Sequence, residues 1–117
     1  MAVVVTTANP SSLLSAIKMA IDNDEVQTWS YDADGDFTHS VEQWARRAWF
    51  RPVVREESLV FNIIPPRTRT VTRAVYGVYH GRLVEMLLNH FDKRFTEVSA
   101  TALPTGADRI KGHLAGV

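Results

Sequence analysis

Residues 71–94 constrain the fold of this chain more than any other stretch. Val71, Ala74, Val75 and Val78 recur at helical spacing, and Leu83, Val84, Leu87, Leu88 and Phe91 continue the pattern on a shifted stripe. The apolar positions wrap more than half the circumference. That pattern predicts a long helix from about Val71 to about Arg94, central to the fold and covered on several sides.

The flanking sequence supplies the surface for that helix. Trp49 to Val54 and Ser58 to Ile64 are rich in β-branched and aromatic residues and are joined by the polar Arg55-Glu56-Glu57, which reads as a hairpin. Pro65-Pro66 ends the second strand, because proline has no N–H for a ladder. Val26 to Tyr31 and Phe37 onward read as a second pair around Asp32-Ala33-Asp34-Gly35-Asp36. The Asp-Gly step there suits a tight turn.

Asn9-Pro10 starts a first helix, with Asn9 as a cap and Pro10 at the first helical position. Leu13, Leu14, Ile17, Ala20 and Ile21 give that helix its apolar face, and Asp22-Asn23-Asp24 ends it. Ser40 and Gln43 match a capping box, so residues 41–47 are expected as a short helix, with a continued strand as the rival. Phe95 to Leu103 makes a last strand. Residues 1–8 are expected as an edge strand or a loose tail, and 104–117 as a tail.

These elements predict one α+β domain over residues 1–117: a two-layer sandwich in which a mostly antiparallel sheet of four to five strands carries the N-terminal helix and the long helix of the C-terminal half. The length of 117 residues suits a single core.

Composition narrows the function classes. The chain has no cysteine, which removes disulfides, thiolate catalysis and cysteine-ligated metals. Thirteen basic and thirteen acidic side chains leave no net charge, hence no general pull toward nucleic acid or anionic membrane, and little self-repulsion. No run approaches the roughly 20 apolar residues that span a bilayer, and the apolar start is too short for a secretion signal. The expected setting is therefore cytoplasmic, with no membrane.

Five places can carry function. The turn Asp32–Asp36 alternates carboxylates, but its glycine and the residue at the twelfth position, Gln43, do not match a calcium loop, and a solvated turn accounts for it. The histidines 39, 80, 90 and 113 do not pair as metal ligands. His80 and His90 lie about 80° and about 15 Å apart on a helix. A site joining one of them to His39 or Glu42 stays open. No metal and no cofactor is expected.

Third, Tyr76-Gly77-Val78-Tyr79-His80-Gly81-Arg82 places two glycines inside a helix, each costing about 1 kcal/mol relative to alanine. The plainer explanation is close approach of another element, and self-association through Gly77 and Gly81 is one form of it. The enzyme form uses His80 as acid or base with Tyr76, Tyr79 or Arg82 binding substrate. Fourth, Arg67, Arg69, Thr70, Thr72 and Arg73 precede the long helix, where free N–H groups favour an anion. The plainer explanation is a solvated loop with Thr70 or Thr72 capping the helix.

Fifth, charge is segregated. Residues 1–45 carry a net of −6 and residues 46–73 a net of +5. Arg46, Arg47, Arg51 and Arg55 sit among Trp44, Trp49 and Phe50, as at many interfaces. Pairing of the two halves within the monomer or across a dimer is the first expectation, a separate protein partner the second, and nucleic acid the third. The sequence therefore points to a small self-associating interaction or regulatory module, most simply a homodimer. A small enzyme or anionic-ligand-binding domain is the alternative, and nucleic-acid binding comes after it.

Overall fold

The computed structural model describes residues 2–106 and residue 108. Its elements run β1 (Val3–Thr6), α1 (Pro10–Asp22), β2 (Trp29–Tyr31), β3 (Phe37–His39), β4 (Trp49–Val54), β5 (Ser58–Ile64), α2 (Arg73–Phe91) and β6 (Glu97–Ala100). The strands form one antiparallel sheet in the order β2-β3-β4-β5-β1-β6. The chain is therefore α+β with a six-stranded sheet, one or two strands more than the sequence pattern indicates.

The extra breadth comes from residues 3–6. They are neither an edge strand nor a tail. Val3 pairs with Phe61 on one side and Ala100 on the other, so β1 is an interior strand. Its neighbour β6 is shorter than the expected run from Phe95 to Leu103. Of the tail expected over 104–117, residues 107 and 109–117 lie outside the described residues. Within it, Asp108 is buried, and its Oδ1 accepts from the Ile63 backbone N–H at 2.9 Å.

Register sets which side chains share a face. Tyr31, Phe37, Phe50 and Ile63 are direct cross-strand neighbours, as are Leu59, Val5 and Val98. Side chains paired this way project to the same side of a sheet. Both helices lie on that side: the Lys18 ammonium sits 5.4 Å from the Tyr31 ring, and Tyr79 and His80 pack on Phe50. α1 buries Leu13, Ile17 and Ala20 there, while α2 buries Tyr79, Leu83 and Leu87 completely. Each such large apolar side chain contributes roughly 1.5–3 kcal/mol.

α2 is covered on one side, not several. Val75, Tyr76, Tyr79, His80, Leu83, Met86, Leu87 and Phe91 face the sheet, whereas Ala74, Gly77, Gly81 and Leu88 are exposed. Among the described residues, the inner face of α2 packs on the sheet and bonds to the 41–47 segment and Thr101, while Ala74, Gly77, Gly81 and Leu88 stay exposed. Its apolar positions therefore exceed what one layer can cover. No helix among the described residues is long and apolar enough to cross a membrane.

Local signals explain most boundaries. Pro10 opens α1, but the Asn9 side chain makes no cap bond; its carbonyl accepts from Leu13 N–H at 3.0 Å. Thr72 caps α2 by accepting from Val75 N–H at 3.2 Å. Gly35 takes φ +82° in the β2–β3 turn, a backbone region where a Cβ is disfavoured. Residues 41–47 form successive turns, neither the short helix nor the rival strand.

Candidate functional site

Tyr79 explains the conformation of residues 41–47. It rises from the buried face of α2 between Trp29 and Phe50, with ring centroids 5.7 and 6.3 Å away. Its hydroxyl donates to the Trp44 carbonyl and accepts from Arg47 N–H at 3.2 Å. Thr38 Oγ1 lies 3.1 Å from the same hydroxyl, donates to the Ala48 carbonyl and accepts from Arg46 N–H. Two hydroxyl hydrogens thus serve two carbonyls, and the two oxygens accept the arginine N–H groups. Arg46 is held at φ +57° within this arrangement. A helix over 41–47 would consume the same backbone groups internally and leave the buried hydroxyls unmatched.

Among the described residues, Tyr76, His80 and Arg82 do not converge with Tyr79 on one cavity. His80 is buried, stacks on Tyr76 at 3.8 Å and meets the edge of Phe50 at 5.1 Å. Its Nδ1 lies 2.6 Å from the Tyr76 carbonyl and donates to it, which leaves buried Nε2 as a lone-pair acceptor without a partner among the described residues. Burial pushes the His80 pKa down, partly offset by the Tyr76 bond and by Asp108. The Tyr76 hydroxyl donates to the Thr101 carbonyl at 2.8 Å, and burial raises its pKa. Arg82 stands on the outside of the helix, 3.2 Å from Glu85.

Arg82 instead meets a histidine the sequence did not single out for this role. Thr28, His39, Val41, Gln43, Trp44, Arg82 and Glu85 line a cleft of about 340 Å³. His39 is the last residue of β3 and stacks on Trp29 at 5.1 Å with 12° between the planes. Its Nδ1 is 2.7 Å from the Thr28 carbonyl, so Nδ1 carries the hydrogen and Nε2 the lone pair. Burial lowers the His39 pKa; the Thr28 bond and Glu85 oppose this and Arg82 adds to it. The imidazole is therefore neutral near pH 7. The fold alone brings residue 39 to residues 82 and 85, so spacing carries no trace of it.

The outward face of α2 is the second distinctive surface. Ala74, Gly77, Val78, Val84, Glu85 and Leu88 all fall within about 60° of Gly81 on the helical wheel. A Cβ added at Gly77 or at Gly81 meets no atom within 4 Å. Gly77, Val78 and Gly81 floor a shallow depression rimmed by Arg82 and Glu85.

The remaining candidates are dispersed. Arg67, Arg69, Thr70 and Arg73 are exposed around the start of α2, and Thr72 is occupied as its cap. Arg51 forms a bidentate pair with buried Asp36 at 3.0 and 2.8 Å, which raises the Arg51 pKa. Arg47 and Arg55 flank β4, a separation of about 20 Å. The four arginines thus make no single patch. Trp44 and Trp49 are half-buried, and Phe50 is wholly buried, a core residue with no surface to offer.

The carboxylates of Asp32, Asp34 and Asp36 lie within 4.8 Å of one another. Arg51 holds Asp36, while Asp32 Oδ1 accepts from the N–H groups of Asp34 and Asp36, so the turn itself accounts for the cluster. His90 is exposed, and His113 lies outside the described residues.

No protein-family model, no curated protein and no solved structure matches the chain.

Proposed function

We propose that this chain is a small interaction or regulatory module that pairs with a second copy of itself through the outward face of α2. The observation that carries the reading is the open space beyond Gly77 and Gly81. Glycine inside a helix costs about 1 kcal/mol relative to alanine. Close approach of another element would offset that cost, and no described residue of the same chain makes one. A neighbouring backbone from a second molecule fits there.

The arrangement of side chains supports a second copy over an unrelated partner. Small residues occupy the N-terminal half of the face and bulkier ones the C-terminal half. Two antiparallel helices related by a twofold axis at Gly81 set Ala74 against Leu88, Val78 against Val84 and Gly77 against Glu85. Leu88 and Glu85 then meet Ala74 and Gly77, while Val78 meets Val84 and Gly81 meets Gly81, which is the self-complementarity an isologous contact requires. Leu88 is 51% exposed in the single chain and gains cover. Zero net charge leaves little repulsion to overcome. The reading takes the cytoplasm as its setting, on sequence composition.

Sedimentation of the wild-type chain and of Gly81→Leu over a wide concentration range tests it. The wild type is expected to pass from monomer to dimer as concentration rises. Gly81→Leu is expected to stay monomeric with an unchanged far-UV circular dichroism spectrum. A wild-type monomer at every concentration overturns the reading, as does a Gly81→Leu variant that dimerises equally well.

A further inference from the structure

We infer that the cleft between the 41–47 loop and α2 is a binding site for a small zwitterion, an α-amino acid or a comparable ammonium carboxylate, held by Arg82, Glu85 and His39. This site is complete in one copy and does not rest on self-association.

The size and lining come first. At about 340 Å³ the cleft falls at the small end of ligand sites. Trp44 and Val41 give it an apolar wall, and Gln43 adds an exposed amide. The loop that carries this wall is fixed from beneath by the Tyr79 hydroxyl, through bonds to Trp44 and Arg47. The cleft is thus largely formed before a ligand arrives, which lowers the ordering cost of binding.

Charge then selects the ligand. Arg82 and Glu85 stand side by side on the rim, and His39 is neutral, so the formal charge of the cleft is zero. An anion gains from Arg82 and is repelled by Glu85; a cation meets the reverse. A molecule with both signs a few bonds apart engages both. Its carboxylate takes the Arg82 guanidinium in a forked contact, and its ammonium takes the Glu85 carboxylate. The existing Arg82–Glu85 pair does not prevent this. Its contacts are 3.2 and 3.3 Å, and both side chains are more than half exposed, so the pair is weak and opens readily.

His39 fixes the orientation. Its Nδ1–H is committed to the Thr28 carbonyl, so the nitrogen it can offer a ligand is Nε2, an acceptor. An ammonium has three hydrogens to donate, to Glu85, to Nε2 and to a further acceptor. A carboxylate has none. The ammonium end therefore belongs on the His39 and Glu85 side. Burial depresses the imidazole pKa, which keeps that lone pair available at neutral pH.

The test uses three probes of one skeleton: L-leucine, its methyl ester, which is only cationic, and N-acetyl-L-leucine, which is only anionic. Binding is followed by NMR through the His39 ring and Trp44 indole signals. L-Leucine is expected to bind at least about tenfold more tightly than either derivative. Arg82→Gln is expected to bring L-leucine down to the level of its methyl ester, and Glu85→Gln to the level of the N-acetyl derivative. Both positions are exposed, so neither change threatens the fold.

Ala74→Glu, about 12 Å along α2 from Arg82, is expected to disturb association while leaving these shifts unchanged. Glu85 borders both surfaces, whereas Ala74 belongs to the pairing face alone, so this variant tells association from binding. Equal binding of the three probes overturns the inference, as does retention of the L-leucine preference in Arg82→Gln.

Discussion

Replacing both Gly77 and Gly81 with alanine should make the single chain more stable and its self-association weaker. A Cβ at either position has no atom within 4 Å, so no steric cost offsets the gain in helix propensity. At about 1 kcal/mol per glycine, the pair is worth about 2 kcal/mol. An unfolding entropy of about 2.1 cal/mol/K per residue gives roughly 0.25 kcal/mol/K for 117 residues. The expected rise in Tm is therefore about 8 °C.

Association should move the other way. The methyl groups added to a contact built for bare backbone, two from each copy, cost about 1–3 kcal/mol, roughly fivefold to a hundredfold in the dimer dissociation constant. Thermal unfolding followed by circular dichroism at high dilution reads the first effect, and sedimentation at high concentration reads the second. A fall in Tm would refute the reasoning at its base, because the glycines would then serve a contact within one chain. A rise in Tm with unchanged association would clear the helix face of any role in pairing.

Other consequences can be measured directly. Tyr79→Phe removes the hydroxyl that serves the Trp44 carbonyl and Arg47 N–H, at a cost of about 1–3 kcal/mol read from the urea midpoint; an unchanged midpoint would show that the 41–47 loop is held by something else. Burial lowers the pKa of both His39 and His80, so the unfolded chain binds protons that the folded chain refuses. Their contribution is complete above the unfolded value of about 6.5 and is lost as pH falls from there through the folded values, by at most about 1.4 kcal/mol per pH unit for each histidine. Urea midpoints should drop across this window, and His80→Gln should reduce the slope; a flat profile in the wild type would contradict the assigned burial.

The parts of the fold legible in the sequence are those set by neighbouring residues. β4 and β5 lie where their β-branched runs place them, bounded by Arg55-Glu56-Glu57 and Pro65-Pro66. α1 runs from Pro10 to Asp22 between its own start and stop signals. What escaped depends on distant partners. Val3-Val4-Val5 is too short to declare itself, and its place is fixed by residues 58–61 and 97–100. The 41–47 segment carries a capping pattern that the Tyr79 hydroxyl overrides from another element. The outward face of α2 looks apolar enough to be buried, yet one sheet covers only one side. The cleft was the least legible feature, since His39 and Arg82 become neighbours only after the sheet has formed. Of its lining, Arg82 and Trp44 stood among the candidate site residues, each for a different reason.

The position of β1 has a consequence for how this protein reaches its native state. Val3 must wait for Phe61 and then for Ala100, partners about 58 and about 97 residues away. Closing such long loops early is entropically expensive, so two of the six strands, β1 and β6, join late and folding should be slow for a chain of this size. Any version of the chain cut after α2 would leave Val3-Val4-Val5 as a bare, β-branched margin with its hydrogen-bonding groups unmet. Such a margin invites addition of strands from other molecules. Residues 97–100, almost wholly polar or small and mostly exposed, act in this light as a sacrificial border that shields a stickier strand behind them.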